Sequence, residues 1–115
     1  MAKKYKIVVS NSVRVPVEGS IADAEGKPQK FKFALICDRI DQQSMREQFQ
    51  GQDLVFSDFL KKVTKGWEGQ RLVLNDDDTP AAFDVDALDA LLNITGMGLV
   101  CYNAYTAENA AKGKM

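Results

Sequence analysis

A switch of hydrophobic period partway along the chain decides its fold class. Val13, Val15 and Val17 alternate with Arg14, Pro16 and Glu18, and Phe31, Phe33 and Leu35 alternate with Lys30 and Lys32. A period of two belongs to a strand with one buried face. The stretch from Ala22 to Pro28 contains Glu25-Gly26 and reads as a turn, so the two runs form an antiparallel hairpin. Pro16 has no N–H to give to a ladder, which places its strand at an edge or at a bulge. Residues 4–9 are predicted as a third strand.

After residue 40 the period lengthens. Ser44-Met45-Arg46-Glu47 has the form of a capping box, predicting a short helix that runs to about Gln50 and stops at Gly51. Phe56, Phe59, Leu60 and Val63 recur at helical spacing. Gly66 suits the left-handed residue that ends such a helix, with Trp67 folding back on the last turn as in a Schellman motif. Gln70 to Leu74 is predicted as a short extended segment. Asn75-Asp76-Asp77-Asp78-Thr79-Pro80 is a polar turn. Asp84 is a good N-cap with Asp86 in the positive first turn. Val85, Leu88, Leu91 and Leu92 form the apolar stripe of the next helix, which Asn93 to Gly96 interrupts. Val100, Cys101, Ala104 and Tyr105 mark a last helix. Strands followed by helices predict an α+β fold. It comprises an N-terminal antiparallel β-hairpin or three-stranded sheet and a C-terminal group of three to four short helices. Residues 1–110 are expected to form one domain and 111–115 a disordered tail.

Composition narrows the chemistry. The chain has 115 residues, 45% hydrophobic and 27% charged, which suits one modest core. Its net charge of -1 lacks the basic surplus with which nucleic-acid binders neutralise phosphates. Residues 1–50 carry +3 and residues 51–115 carry -4, an imbalance that either orients a charged partner or is ordinary surface variation. The sequence contains no histidine. Ser-His-Asp and Cys-His catalysis within this chain are therefore excluded. Cys37 and Cys101 form no CxxC pattern; they are either one disulfide or two buried thiols of a reducing compartment. No apolar run reaches the roughly 20 residues of a membrane-spanning helix, so no membrane partner and a cytoplasmic location are expected.

The remaining candidates each have a plainer reading beside them. Asp76-Asp77-Asp78 lacks the alternation and the glycine of a calcium loop and reads as a solvated turn. Asp84, Asp86 and Asp89 cluster, but helix-start roles account for the first two. Gly66-Trp67-Glu68-Gly69 has neither the spacing nor the lysine of a phosphate loop. Trp67, the single tryptophan, is either an exposed binding anchor or a core residue beside Phe59 and Phe83. Leu99, Tyr102 and Tyr105 form a candidate partner-binding strip on the last helix. They either dock a partner helix or a second copy of the chain, or they pack on the chain's own sheet. No catalytic, cofactor-binding or metal-ligating set emerges, and no enzyme activity is expected.

The order Phe59-Leu60-x-x-Val63-x-x-Gly66-Trp67-Glu68-Gly69, the acidic turn to Pro80, Phe83, then Leu88-x-x-Leu91-Leu92-x-Ile94-x-Gly96 resembles the C-terminal half of bacteriophage tail assembly chaperones. Tyr105 matches the tyrosine of that family's last helix. The resemblance covers roughly residues 56–105. It departs at Thr79, where the family's turn has glycine, and at Asp84, where its helix often begins with serine; the second change keeps the capping chemistry. The resemblance implies a non-catalytic protein of the host cytoplasm without cofactors. Such a protein binds the tape measure protein, helps recruit tail tube protein and leaves before the virion is complete. It also implies that Lys112-Gly113-Lys114 could overlie a slippery run where frameshifting makes a longer product. The alternative is a structural tail or head-tail connector subunit retained in the virion.

Overall fold

A computed structural model describes residues 9–48 and 56–113. Strand β1 (Ser12–Ala22) and strand β2 (Pro28–Asp38) pair antiparallel with Val15 opposite Leu35 and Val17 opposite Phe33. Strand β3 (Thr64–Glu68) pairs antiparallel with the other edge of β2, giving the order β1-β2-β3. Four helices follow or interrupt these strands among the described residues: α1 (Gln42–Gln48), α2 (Phe56–Val63), α3 (Val85–Leu92) and α4 (Met97–Asn109). The architecture is α+β.

The hairpin forms as its alternation dictates. Val15, Val17, Phe33, Leu35 and Cys37 point to one face and are buried. Its turn is closed by Asp23, whose Oδ1 accepts from the Glu25 and Lys27 amides at 2.8 and 2.9 Å, with Gly26 at φ +82°. These amides hold the Asp23 carboxyl below its usual range. A depressed carboxyl stabilises the fold above its unfolded pKa and loses that contribution as the pH falls through the folded value. The turn is therefore an acid-sensitive part of the sheet.

At the hairpin's two ends, Asn11 O accepts from Arg39 N (2.8 Å) and Asp23 N donates to Lys27 O (2.9 Å). Odd positions of β1 thus direct their main chain to β2, and even positions direct it outward. Pro16 falls among the even ones. Its missing N–H costs no bond to β2 and leaves a gap in an edge that no strand among the described residues pairs with, as expected of an edge proline. Gly19 sits opposite Phe31; a Cβ there would lie 2.8 Å from Phe31 Cζ, so a side chain at this position would make the ring move.

The third strand differs from expectation. Residues 4–8 of the predicted strand lie outside the described residues, and Val9 is an exposed residue in a bend. The observed third strand is the stretch read as a helix stop. Gly66 is extended and pairs with Ile36, and the left-handed glycine is Gly69, at φ +73°. The reason is non-local. Even positions of β2 direct their main chain away from β1 and need partners, which Gly66 and Glu68 supply. Cys37 pairs with Thr64 and Ile36 with Gly66, so Lys65 is the extra residue of a bulge. Above this sheet, Arg14 Nε meets Glu68 Oε1 at 3.0 Å and Lys65 Nζ meets Asp38 Oδ1 at 2.9 Å. Both pairs are exposed and are worth about 0–1 kcal/mol each.

The helices cover the apolar face. α4 lies against β1, and α2 packs on α3 and α4. Phe59, Leu60, Val63, Leu88, Leu91, Leu92, Met97, Cys101 and Tyr105 join the sheet in one core. Gly98 admits the close approach of α2, because a Cβ there would already touch Phe56 Cβ and Ser57 Oγ at 3.5 Å. Asp84 caps α3 as predicted, accepting from Ala87 N at 2.7 Å. Gly96, at φ +85°, makes the corner between α3 and α4, which are bent by 107°.

Two expectations need correction. α1 is capped by Asp41, whose Oδ1 accepts from Ser44 N at 2.8 Å; Ser44 lies inside the helix, because an aspartate three residues earlier already reaches the free amide. The predicted stop at Gly51 lies outside the described residues. Val85 is 68% exposed, since the first residue of α3 precedes the turn that meets the core.

The C-terminal end of α4 is tied to the end of β2. Asn109 Oδ1 accepts from Ile40 N (3.1 Å) while its Nδ2 donates to Ile40 O (3.0 Å). Arg39 Nη1 donates to Asn109 O at 2.8 Å, a cation at the negative end of the helix. Tyr105 Oη donates to Asp38 O at 2.7 Å. Asn109→Ala removes both partners of Ile40 and is expected to cost about 1–3 kcal/mol. Asn103→Ala on the exposed face of the same helix should change stability by less than about 0.5 kcal/mol. Urea denaturation of the two variants measures the difference.

Candidate partner-binding surfaces

The strip Leu99, Tyr102 and Tyr105 divides on folding. Leu99 is 48% exposed, Tyr102 is half-buried and Tyr105 is wholly buried. Tyr102 lies 4.7 Å from the Phe56 ring and 5.7 Å edge-on from Phe59, and Tyr105 meets Phe59 at 5.5 Å. Two of the three thus hold α4 to α2, and only Leu99 faces outward. Burial raises the Tyr105 hydroxyl to about 12 and raises that of Tyr102 as well.

Trp67 sits elsewhere, at a corner made by the segment after β3. It is half-buried and meets Phe83 at 5.3 Å with the rings perpendicular, a favourable edge-to-face geometry. Phe59, expected as its other neighbour, directs its ring contacts to the α4 tyrosines instead. The indole Nε1 donates to Ala81 O at 3.2 Å. Behind it, Gln70 is 2% exposed. Gln70 Nε2 donates to Val73 O and Ala81 O at 2.9 and 3.1 Å. Its Oε1 accepts from Leu72 N and Val73 N at 3.1 and 2.8 Å. All four hydrogen-bonding positions of that amide are therefore filled. Together these groups wall a surface cleft of about 470 Å³ lined by Trp67, Gln70, Arg71, Pro80, Ala81 and Phe83. Sequence reasoning singled out Trp67 and Phe83 but missed Gln70, whose importance lies wholly in the loop it folds.

The acidic turn is a hydrogen-bonded loop. Asn75 N donates to Thr79 O (2.8 Å) and Asp77 Oδ1 accepts from the Thr79 hydroxyl (2.5 Å) and amide (3.1 Å). Those bonds lower the Asp77 carboxyl. Asp78 takes the left-handed φ of +67° that aspartate tolerates. Among the described residues no group of three or more His, Cys, Asp or Glu could hold a metal. Of the clustered acids, Asp89 forms an ion pair with Lys61 at 2.6 Å. Among the described residues no single helix is long and apolar enough to cross a membrane.

Cys37 and Cys101 are free thiols in the core. Burial raises Cys37 to about 11 and Cys101 to about 12. A thiol raised in the folded state contributes its full stability below the unfolded value of 9.0 and loses it as the pH climbs through the folded value. The urea midpoint should therefore fall progressively above pH 9. At pH 8 neither thiol should react with a water-soluble thiol reagent until the chain is unfolded, because neutral buried thiols are poor nucleophiles. Rapid labelling of the native protein would refute the burial.

Gln70→Ala is expected to cost about 2–4 kcal/mol, since it strips the partner of Leu72 N and of Val73 N, while Val73 O keeps the Ala81 amide. It should also shift Trp67 emission to the red as the cleft loosens; a variant with native emission and stability would show that the loop folds without this amide. No family model, curated protein or solved structure matches the chain.

Proposed function

We propose that this chain is a non-catalytic bacteriophage tail assembly chaperone that binds the tape measure protein and assists tail tube assembly in the host cytoplasm. The observation that carries the reading is the ordered set of residues from Phe59 to Gly96, with Tyr105 beyond it. The folded form gives that set a common purpose. Phe59, Leu60 and Val63 enter the core from α2, and Leu88, Leu91 and Leu92 enter it from α3. Trp67 and Phe83 close the loop between these helices. A chaperone for a long apolar helical client needs surface that binds adaptably and lets go when tube subunits compete. The same half of the molecule leaves Leu74, Val85 and Leu99 at 44, 68 and 48% exposure, scattered apolar contacts suited to weak, reversible association.

Co-expression with the tape measure protein tests the reading. The client should become soluble and co-purify with this chain, and it should return to the insoluble fraction without it. A client that stays insoluble in both cases removes the proposal. Mass spectrometry of purified virions should find the chain absent. Stoichiometric amounts there would instead identify a retained tail or head-tail connector subunit.

A further inference from the structure

The cleft beside Trp67 is bordered by the edge of β3 that no strand among the described residues pairs with. Ala34 pairs with Glu68 and Ile36 with Gly66, and even positions of β2 are the ones whose main chain faces β3. Gly66 and Glu68 therefore direct their main chain to β2, and Trp67 between them directs its N–H and C=O to the open side. Neither group is hydrogen-bonded among the described residues. The Trp67 ring is fixed by Ala81 O and Phe83, and Gln70 holds the loop, so the concavity is preformed. Its volume, about 470 Å³, lies within the roughly 300–1,000 Å³ of small binding sites.

Charge narrows the occupant. Arg71 is the sole charged residue lining the cleft. It is exposed and has no ion-pair partner among the described residues. Glu68, the acid nearest to it in sequence, is paired with Arg14, and Asp77 of the acidic turn accepts from Thr79. We infer that β3 and the Trp67 cleft form a docking groove for an extended peptide segment of a partner protein. That segment sets an apolar side chain against Trp67 and Phe83, a carboxylate at Arg71, and its own main chain against that of Trp67. Strand addition of this kind takes affinity from main-chain bonds and specificity from the side-chain pocket. The inference stands independently of the tail assembly reading, because it names only the chemistry of the bound segment.

Trp67 is the single tryptophan and reports on its own site. Full-length protein is titrated with a blocked hexapeptide of β-branched residues containing one leucine and one aspartate, and with its asparagine counterpart. The aspartate peptide should produce a saturable change in Trp67 emission and bind about two- to fivefold more tightly than the asparagine peptide, the range of an exposed ion pair. Arg71→Gln, a surface change that leaves the circular dichroism spectrum native, should abolish that preference while retaining the residual binding. N-methylation of the peptide at the residue opposite Trp67 should abolish binding of both peptides. Absence of saturation, equal affinities for the two peptides, or an undiminished preference in Arg71→Gln would each overturn the proposal. So would concentration-dependent dimerisation of the unliganded chain that Arg71→Gln abolishes, since the groove would then serve a second copy.

Discussion

The main chain of β2 has two rows of donors and acceptors, and the rest of the fold is arranged to satisfy both. β1 takes the odd row over eleven paired positions. β3 takes part of the even row at Ala34 and Ile36. Where the strand ends, side chains take over: Tyr105 at Asp38 O, and Asn109 at both polar groups of Ile40. Leaving a buried main-chain group without a partner costs about 1–3 kcal/mol, comparable with the burial of a whole aliphatic side chain. That penalty explains why a five-residue strand is recruited from across the chain and why α4 ends where it does. The apolar core then fills the space that these ties define.

Much of this was legible in the sequence, and the divide between what was and was not follows the range of the interaction. The hairpin, its turn at Glu25-Gly26, the Asp84 cap and the break at Asn93 to Gly96 depend on neighbours a few residues apart, and each was found. The α2 stripe was found because its period is local as well. β3 was missed because Gly66-Trp67 reads the same whether a helix ends there or a strand edge needs a partner. The decision rests with Ala34 and Ile36, about thirty positions away. The Asp41 cap was missed for a smaller reason: two acceptable caps lay three residues apart, and only the backbone path chooses between them.

The candidate surfaces show the same division. Helical spacing grouped Leu99, Tyr102 and Tyr105, yet spacing of three residues drifts around a helix. Over two such steps the drift carries Tyr105 into the core while Leu99 stays outside. The aromatic corner of Trp67 and Phe83 was anticipated as a contact. What made it a cleft was Gln70, a residue with no distinguishing pattern, acting through hydrogen bonds to Val73 and Ala81. A loop organised by a single amide leaves no periodic trace.

The ties between α4 and β2 have a consequence for how the chain is born. Tyr105 and Asn109 reach back 67 and 69 positions to Asp38 and Ile40. The hairpin emerges from the ribosome before the helices that cover it, with its apolar face bare, and a two-stranded ribbon is at best marginally stable alone. The helix that lies against β1, α4, is made only after β3 and the other helices. Contacts of such long sequence separation slow folding, so synthesis passes through an interval in which Val15, Phe33 and Leu35 are open to anything apolar nearby. The gap that Pro16 leaves in the outer edge is then present from the outset, guarding the nascent ribbon against pairing with another of its kind.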